Sequence, residues 1–173
     1  MKISSALLLA LLLAVSACKN KDRVRVQTEE EPARLASMLA MSDPRANAQL
    51  ITGWYPLEQN AWRWTAGHFS VVLRPPIGSE QSGATLKLKL NVPQPVIDKM
   101  KSTTLTATVS GTALPPETYT KSGDYEFVRE VPAALLKGDS VKVDFALDKY
   151  LAAGAVEGRE LGVIATAVGF EHK

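Results

Sequence analysis

From residue 68 onward the chain alternates apolar and polar positions in short runs. "HFSVVLR" sets Phe69, Val71 and Leu73 on one face, and "ATLKLKLN" sets Leu86, Leu88 and Leu90 against Lys87 and Lys89. "TLTATVS" opposes Leu105, Ala107 and Val109 to threonines, and "YEFV" pairs Tyr125 with Phe127. "SVKVDFAL" opposes Val141, Val143, Phe145 and Leu147 to Lys142 and Asp144. A period of two is the signature of a strand with one buried face. "LGVIATAVGF", residues 161–170, is apolar on both faces and reads as a central strand. Turns rich in Gly and Pro separate the runs: "RPPIGSEQSG", "NVPQP", "GTALPPE", "KSGD" and "LKGD". "PVIDKMK" and "VPAALLKG" read as short helical turns. The pattern predicts an all-β chain, an antiparallel β-sandwich or jelly roll spanning 50–173. Sheets with one wet face each bury a single shared layer, enough core for a domain of about 120 residues.

The beginning of the chain follows a different grammar. "MKISSALLLALLLAVSAC" has a basic start at Lys2, an apolar run over 6–15, and then the small residues Ser16 and Ala17 before Cys18. Residues 1–17 read as a secretory signal peptide, too short for a membrane span. "VSAC" resembles the lipobox of bacterial lipoproteins: small side chains admit the peptidase, and the thiol of Cys18 carries the lipid. Cys18 is the one cysteine of the chain, so the mature protein has no disulfide and no spare thiol nucleophile. Two or three acyl chains hold a protein on a membrane where one does not. The expected location is the bacterial cell envelope. Lys19, in place of Asp, points to the outer membrane, facing either the periplasm or the surface.

Residues 18–49 then read as the lipidated cysteine, a tether and a short helix. "KNKDRVRVQTEEE" is charged and poor in bulky apolar groups, as a tether is. "TEEEPARLASMLAMSDP" offers a helix capped by Thr28 and Glu31 and stopped at Pro44, with Leu35, Met38 and Leu39 on one face.

Composition removes several function classes. Lys and Arg total 20 against 18 Asp and Glu, a formal charge of +2. No basic segment suits nucleic acid. The two histidines, His68 and His172, lie far apart in sequence. No metal-ligand spacing, nucleophile elbow or phosphate-cradling glycine loop occurs, so neither metal nor cofactor is expected. Glu126, Glu130 and Asp144 read as solvated positions, and an enzyme is not expected.

One stretch stands apart. "GWYPLEQNAWRWT", residues 53–65, holds all three tryptophans, Trp54, Trp62 and Trp64. On a strand, Trp62 and Trp64 share one face and Arg63 and Thr65 the other. Exposed aromatic rings with Arg, Asn and Glu alongside suit sugar: pyranose C–H faces stack on the rings, and polar groups meet hydroxyls. Aromatic rings are also efficient core fillers. The reading is that one at least of Trp62 and Trp64 is buried, and that Trp54 and Tyr55, before Pro56, are the more exposed. Glu58 and Arg63 are either hydrogen-bonding groups of a site or members of an ion pair with Arg159 or Glu160, closing the start of the domain onto its end.

Gly53, Trp54, Tyr55 and Glu58, then Arg63 and Trp64, then Arg159, Leu161 and Gly162 in "GRELGVIATAVGFE" form a pattern. It resembles a β-sandwich module of bacterial envelope proteins that often accompanies glycosyltransferases and other polysaccharide-related proteins. The resemblance covers about 50–172. It implies a galactose-binding-like jelly roll working near surface carbohydrate, with Trp54, Tyr55, Glu58 and Arg63 as ligand-binding candidates. Gly53, Trp64, Arg159, Leu161 and Gly162 are then motif residues of the framework. The module here stands alone, with no catalytic partner in the chain. The expected function is a non-catalytic, lipid-anchored carbohydrate-binding module. The rival is a structural or protein-interaction envelope lipoprotein. Partners are the membrane, through Cys18, and an envelope polysaccharide or protein.

Overall fold

The computed structural model describes residues 34–173. The signal peptide, Cys18, the tether and residues 28–33 of the expected helix lie outside the described residues. Ten strands follow in order: β1 (Met38–Ala40), β2 (Leu50–Trp54), β3 (Arg63–Leu73), β4 (Ala84–Val92), β5 (Thr103–Val109), β6 (Thr112–Ala113), β7 (Glu117–Tyr119), β8 (Gly123–Val131), β9 (Val141–Leu147) and β10 (Ile164–His172). Two short helices, α1 (Ser79–Ser82) and α2 (Gln94–Met100), fill connections.

Every strand pairing is antiparallel. The strands make a β-sandwich. One layer runs β1, β10, β4, β8, and the other runs β2, β3, β9, β5 with β6 and β7 at its far edge. The layers join where β10 begins, at the pairs Ile164–Trp64 and Ala165–Arg63. Farther along, β3 leaves for the second layer and β1 takes its place, pairing Leu39 with Val168.

The alternation seen in the sequence sorts side chains as expected. Phe69, Val71 and Leu73 of β3 and Leu86, Leu88 and Leu90 of β4 all enter one core, together with Leu105, Phe127, Val143, Phe145, Val168 and Phe170. Phe69 stacks on Phe145 with centroids 4.9 Å apart, and Phe127 meets Phe145 edge-on. The long twin-apolar run forms β10, paired on both sides, which is why neither of its faces is plainly polar. At the free edge, β8 turns Asp124, Glu126 and Glu130 to solvent; charges there discourage strand addition.

The expected helix is corrected over its described part: Met38–Ala40 is a strand. Beyond its departure from β3, β10 has unpaired backbone groups. The Met41 and Phe170 amides, bonded to the Thr166 and Ser37 carbonyls, close this gap. Sheet pairing of this kind overrides a local capping signal. Leu39, Met41 and Ala46 join the common core. Pro44, read as a stop, instead opens a 3₁₀ turn over Pro44–Ala48, capped by the Asp43 side chain on the Arg45 amide.

Candidate functional site

The tryptophan stretch lies at the end of the sandwich where β2 finishes and β3 and β10 begin. Its geometry starts at Gly53. The backbone there has φ of +73°, and a Cβ would stand 2.0 Å from the His68 carbonyl oxygen. Only glycine lets β2 lie this close to β3. Trp54 then turns back along β3, where its Nε1 donates to the Ser70 carbonyl at 2.8 Å and its ring meets Phe69 edge-on at 5.0 Å. Tyr55 continues the ladder, its amide bonding Trp64 O at 3.0 Å.

A tight hairpin turn follows. Gln59 and Asn60 both have positive φ, 50° and 54°, as the central pair of a type I′ turn requires. The Glu58 amide bonds Trp62 O at 2.9 Å. The turn sets Glu58 and Trp62 opposite each other at the mouth of β3.

Alternation on β3 then divides the aromatics from the cation. Arg63 and Thr65 point inward and are buried. Nη1 of Arg63 donates to the Tyr55 carbonyl at 3.1 Å and Nη2 to Asn47 Oδ1 at 2.7 Å, while Nε has no partner among the described residues. Burial lowers its pKa, although a guanidinium stays charged throughout the physiological range. Trp62 and Trp64 face the other way, with centroids 6.4 Å apart and planes at 78°. Trp64 packs on a second small cluster, Val96, Leu151 and Leu161, and Trp62 is half-buried at its rim.

The segment before β10 closes over this end. Thr65 O accepts the Gly162 amide at 2.7 Å, and Thr65 N donates to Val163 O at 2.8 Å. A Cβ on Gly162 would stand 2.6 Å from Ala66 O, so this close approach also needs glycine. Leu161 and Leu151 exchange two backbone hydrogen bonds of 2.9 Å. Arg159 then reaches the hairpin. Its Nη1 donates to Glu58 Oε1 at 3.0 Å, its Nε donates to Glu157, and its guanidinium lies 5.0 Å from the Tyr55 ring centre. The bond to Glu157, and after it the bond to Glu58, raises the Arg159 pKa. Next to it, Glu160 accepts the Gly67 amide at 2.6 Å.

All nine residues of the sequence pattern therefore meet at one end of the sandwich, although Glu58 and Arg159 are 101 positions apart. Their surroundings differ from expectation in two respects. Neither Trp62 nor Trp64 is buried: both are half-buried, because the last turns of a sandwich have no further layer to cover them. Trp54 and Tyr55, read as the more exposed, are half-buried as well, Trp54 through its bond to Ser70 and its contact with Phe69. Arg63 lies inside, bound to Asn47 and Tyr55. Glu157 and Asn47, partners of the two arginines, carried no signal in the sequence; each is a single polar residue in a loop. Among the described residues, no group of three or more His, Cys, Asp or Glu side chains is placed to hold a metal ion.

No family model matches the chain, and no curated protein matches it. Among solved structures, the chain is similar to the CBM51-2 and INT domains of Clostridium perfringens ZmpB, at 13% identity and a TM-score of 0.39. The match covers 79% of this chain and 28% of that one. The same domains in complex with GlcNAc match at 14% identity and a TM-score of 0.38, again over 79% of this chain and 28% of that one. The CBM36-1 domain of a multidomain xylanase, from the hindgut metagenome of Trinervitermes trinervoides, matches at 8% identity and a TM-score of 0.38. That match covers 77% of this chain and 91% of the other.

Proposed function

We propose that this protein is a lipid-anchored component of the bacterial cell envelope, in the outer membrane, whose sandwich binds carbohydrate without catalysing a reaction. The supporting observation is the half-buried aromatic group Tyr55, Trp62 and Trp64, with the Glu58–Arg159 pair set against Tyr55. Two tryptophans at right angles leave ring area on which a sugar face can rest, and the ion pair offers donors and acceptors to hydroxyls. Trp54 and Arg63, already engaged inside the fold, act as its supports. The galactose-binding-like jelly roll implied by the sequence pattern agrees with this reading. The anchor is the lipobox at Cys18.

The test is binding of the full-length mature protein to immobilised envelope polysaccharides, comparing wild type with Trp62→Ala. The reading expects retention that Trp62→Ala abolishes while the circular dichroism spectrum is kept. Equal retention of the two proteins would contradict it. Mass spectrometry of the Cys18 peptide tests the anchor: acyl mass is expected, and a bare thiol would contradict it.

A further inference from the structure

The end of the sandwich opposite the tryptophans has its own character. β3 runs eleven residues from Arg63 to Leu73, a rise of roughly 35 Å, and so separates the two ends. Past Leu73, the chain makes the loop Arg74–Gly78 before α1. Pro75 and Pro76 are buried and fix its path, while Ile77 at its tip is 84% exposed. No other large apolar side chain of the described residues is as exposed; Val156 follows at 57% and Ile51 at 50%. An isoleucine in water is ordinary by itself. One held outward by two anchored prolines, beside Arg74 and at the end where Arg34 lies, is a different arrangement.

An open groove of about 370 Å³ beside this loop is lined by Arg34, Leu35, Arg74 and Asp139. A smaller cavity of about 160 Å³ next to it takes in Arg74, Ile77 and Ser79. Ser79 is 2% exposed, and its hydroxyl has no hydrogen-bond partner among the described residues. Lys137 stands exposed in the adjoining loop. The acids Glu80 and Asp139 share the rim, so charge alone makes no strong anion site. An apolar tip with cations behind it and a spare hydroxyl instead suits the boundary between acyl chains and phosphate headgroups.

The chain also enters the sandwich here. The Arg74 amide donates to Ala36 O at 3.1 Å, so Arg34 and Leu35 emerge beside Arg74, which also lines the cavity holding Ile77. Cys18 precedes Arg34 by sixteen positions, a span of at most about 55 Å even fully extended. The chain leading from Cys18 thus meets the described domain beside Arg74, at this end, rather than at the tryptophan end.

We propose that the Ile77 end, with Arg34 and Arg74, is the face the domain turns to the lipid bilayer, Ile77 entering the headgroup boundary. This rests on the lipid anchor assigned to Cys18. The acyl chains hold the protein on the membrane, and the Ile77 loop orients it. The tryptophan end then points away from the bilayer, toward any glycan in the space beyond.

The experiment uses the full mature lipoprotein in vesicles of phosphatidylethanolamine containing phosphatidylglycerol. Ile77→Cys, or Ala61→Cys at the opposite end, carries an environment-sensitive nitrobenzoxadiazole label. The expected result is a brighter, blue-shifted label at 77, quenched by nitroxide lipid, and an unchanged label at 61. Equal responses at the two positions, or none at 77 in protein shown to be acylated, would overturn the orientation alone. A change at 77 that appears in solution as protein concentration rises would overturn it in favour of pairing between copies. A Cys18 found without acyl mass would overturn the anchor reading and this one with it.

Discussion

Arg159 donates from Nη1 to Oε1 of Glu58 at 3.0 Å, tying the hairpin before β3 to the loop before β10. Both side chains are about one-third exposed, 33% and 34%. An ion pair this wet contributes little to stability. Arg159→Ala should lower the unfolding free energy by no more than about 1 kcal/mol, even with the loss of its contact to Tyr55. Glycan affinity should fall far more than stability. Chemical denaturation and a binding isotherm on the same variant check the contrast.

Arg63 is the opposite case. Its removal leaves the carbonyl of half-buried Tyr55 without its donor, whereas Oδ1 of Asn47 belongs to an exposed residue that water can reach. Arg63→Met should cost about 1–3 kcal/mol, chiefly for the stranded Tyr55 carbonyl. Arg63→Lys should not restore it, because a single ammonium lacks the fork that reaches both groups. Urea midpoints of the two variants measure this.

Trp54 supports the ring platform from within. Trp54→Phe keeps most of the contact with Phe69 and loses only the bond to Ser70 O. About 1 kcal/mol of stability should be lost, with glycan binding intact. Loss of binding without loss of stability would move Trp54 into the site.

Gly53 and Gly154 both have positive φ, +73° and +87°, but only at Gly53 would a Cβ meet backbone, at 2.0 Å from His68 O. Gly154→Ala should cost about 1–2 kcal/mol for the left-handed backbone alone. Gly53→Ala should cost more than about 3 kcal/mol or prevent folding, since β2 must shift. Thermal melts of the pair separate the two costs.

Acid should weaken the outer edges first. The hydrogen bond from Lys173 lowers the Glu130 pKa below its ordinary 4.5, and the bonds from Arg45 lower that of Asp43 below 3.8. Groups depressed in the folded state stabilise it fully at neutral pH. That contribution fades as pH falls below about 4.5 and is gone once the folded carboxylates are protonated. Deleting Lys173 should therefore remove this small contribution at neutral pH, leave the fully acid midpoint unchanged, and so flatten the Glu130 part of the acid limb. Denaturation midpoints between neutral and acid pH report it.

Strands were legible wherever one face is buried. The leucines of β4 and the valines of β9 sort themselves by parity alone, and β10 betrayed its central place by having no polar face. The strand Met38–Ala40 was hidden. Its sequence carries a capping box and a helical apolar face, and it is extended because β10 has an edge to fill, a fact that lies some 130 residues away. The candidate site was legible as a set of residues but not as a division of labour. Sequence parity placed Trp62 and Trp64 opposite Arg63. The sequence also offered a Glu58–Arg159 pair closing the start of the domain onto its end, but it did not separate Arg63, which faces the core, from that pair, because the division depends on which loop folds over the sandwich end.

The most direct measurement is tryptophan fluorescence of the mature protein titrated with envelope polysaccharide fragments and simple glycans, for wild type and Trp62→Ala. If this end of the sandwich binds sugar, the wild type gives a saturable change and Trp62→Ala, still folded, gives none. A wild type silent across the panel would contradict the account and turn attention to a protein partner at the same aromatic surface. So would a response that survives Trp62→Ala unchanged.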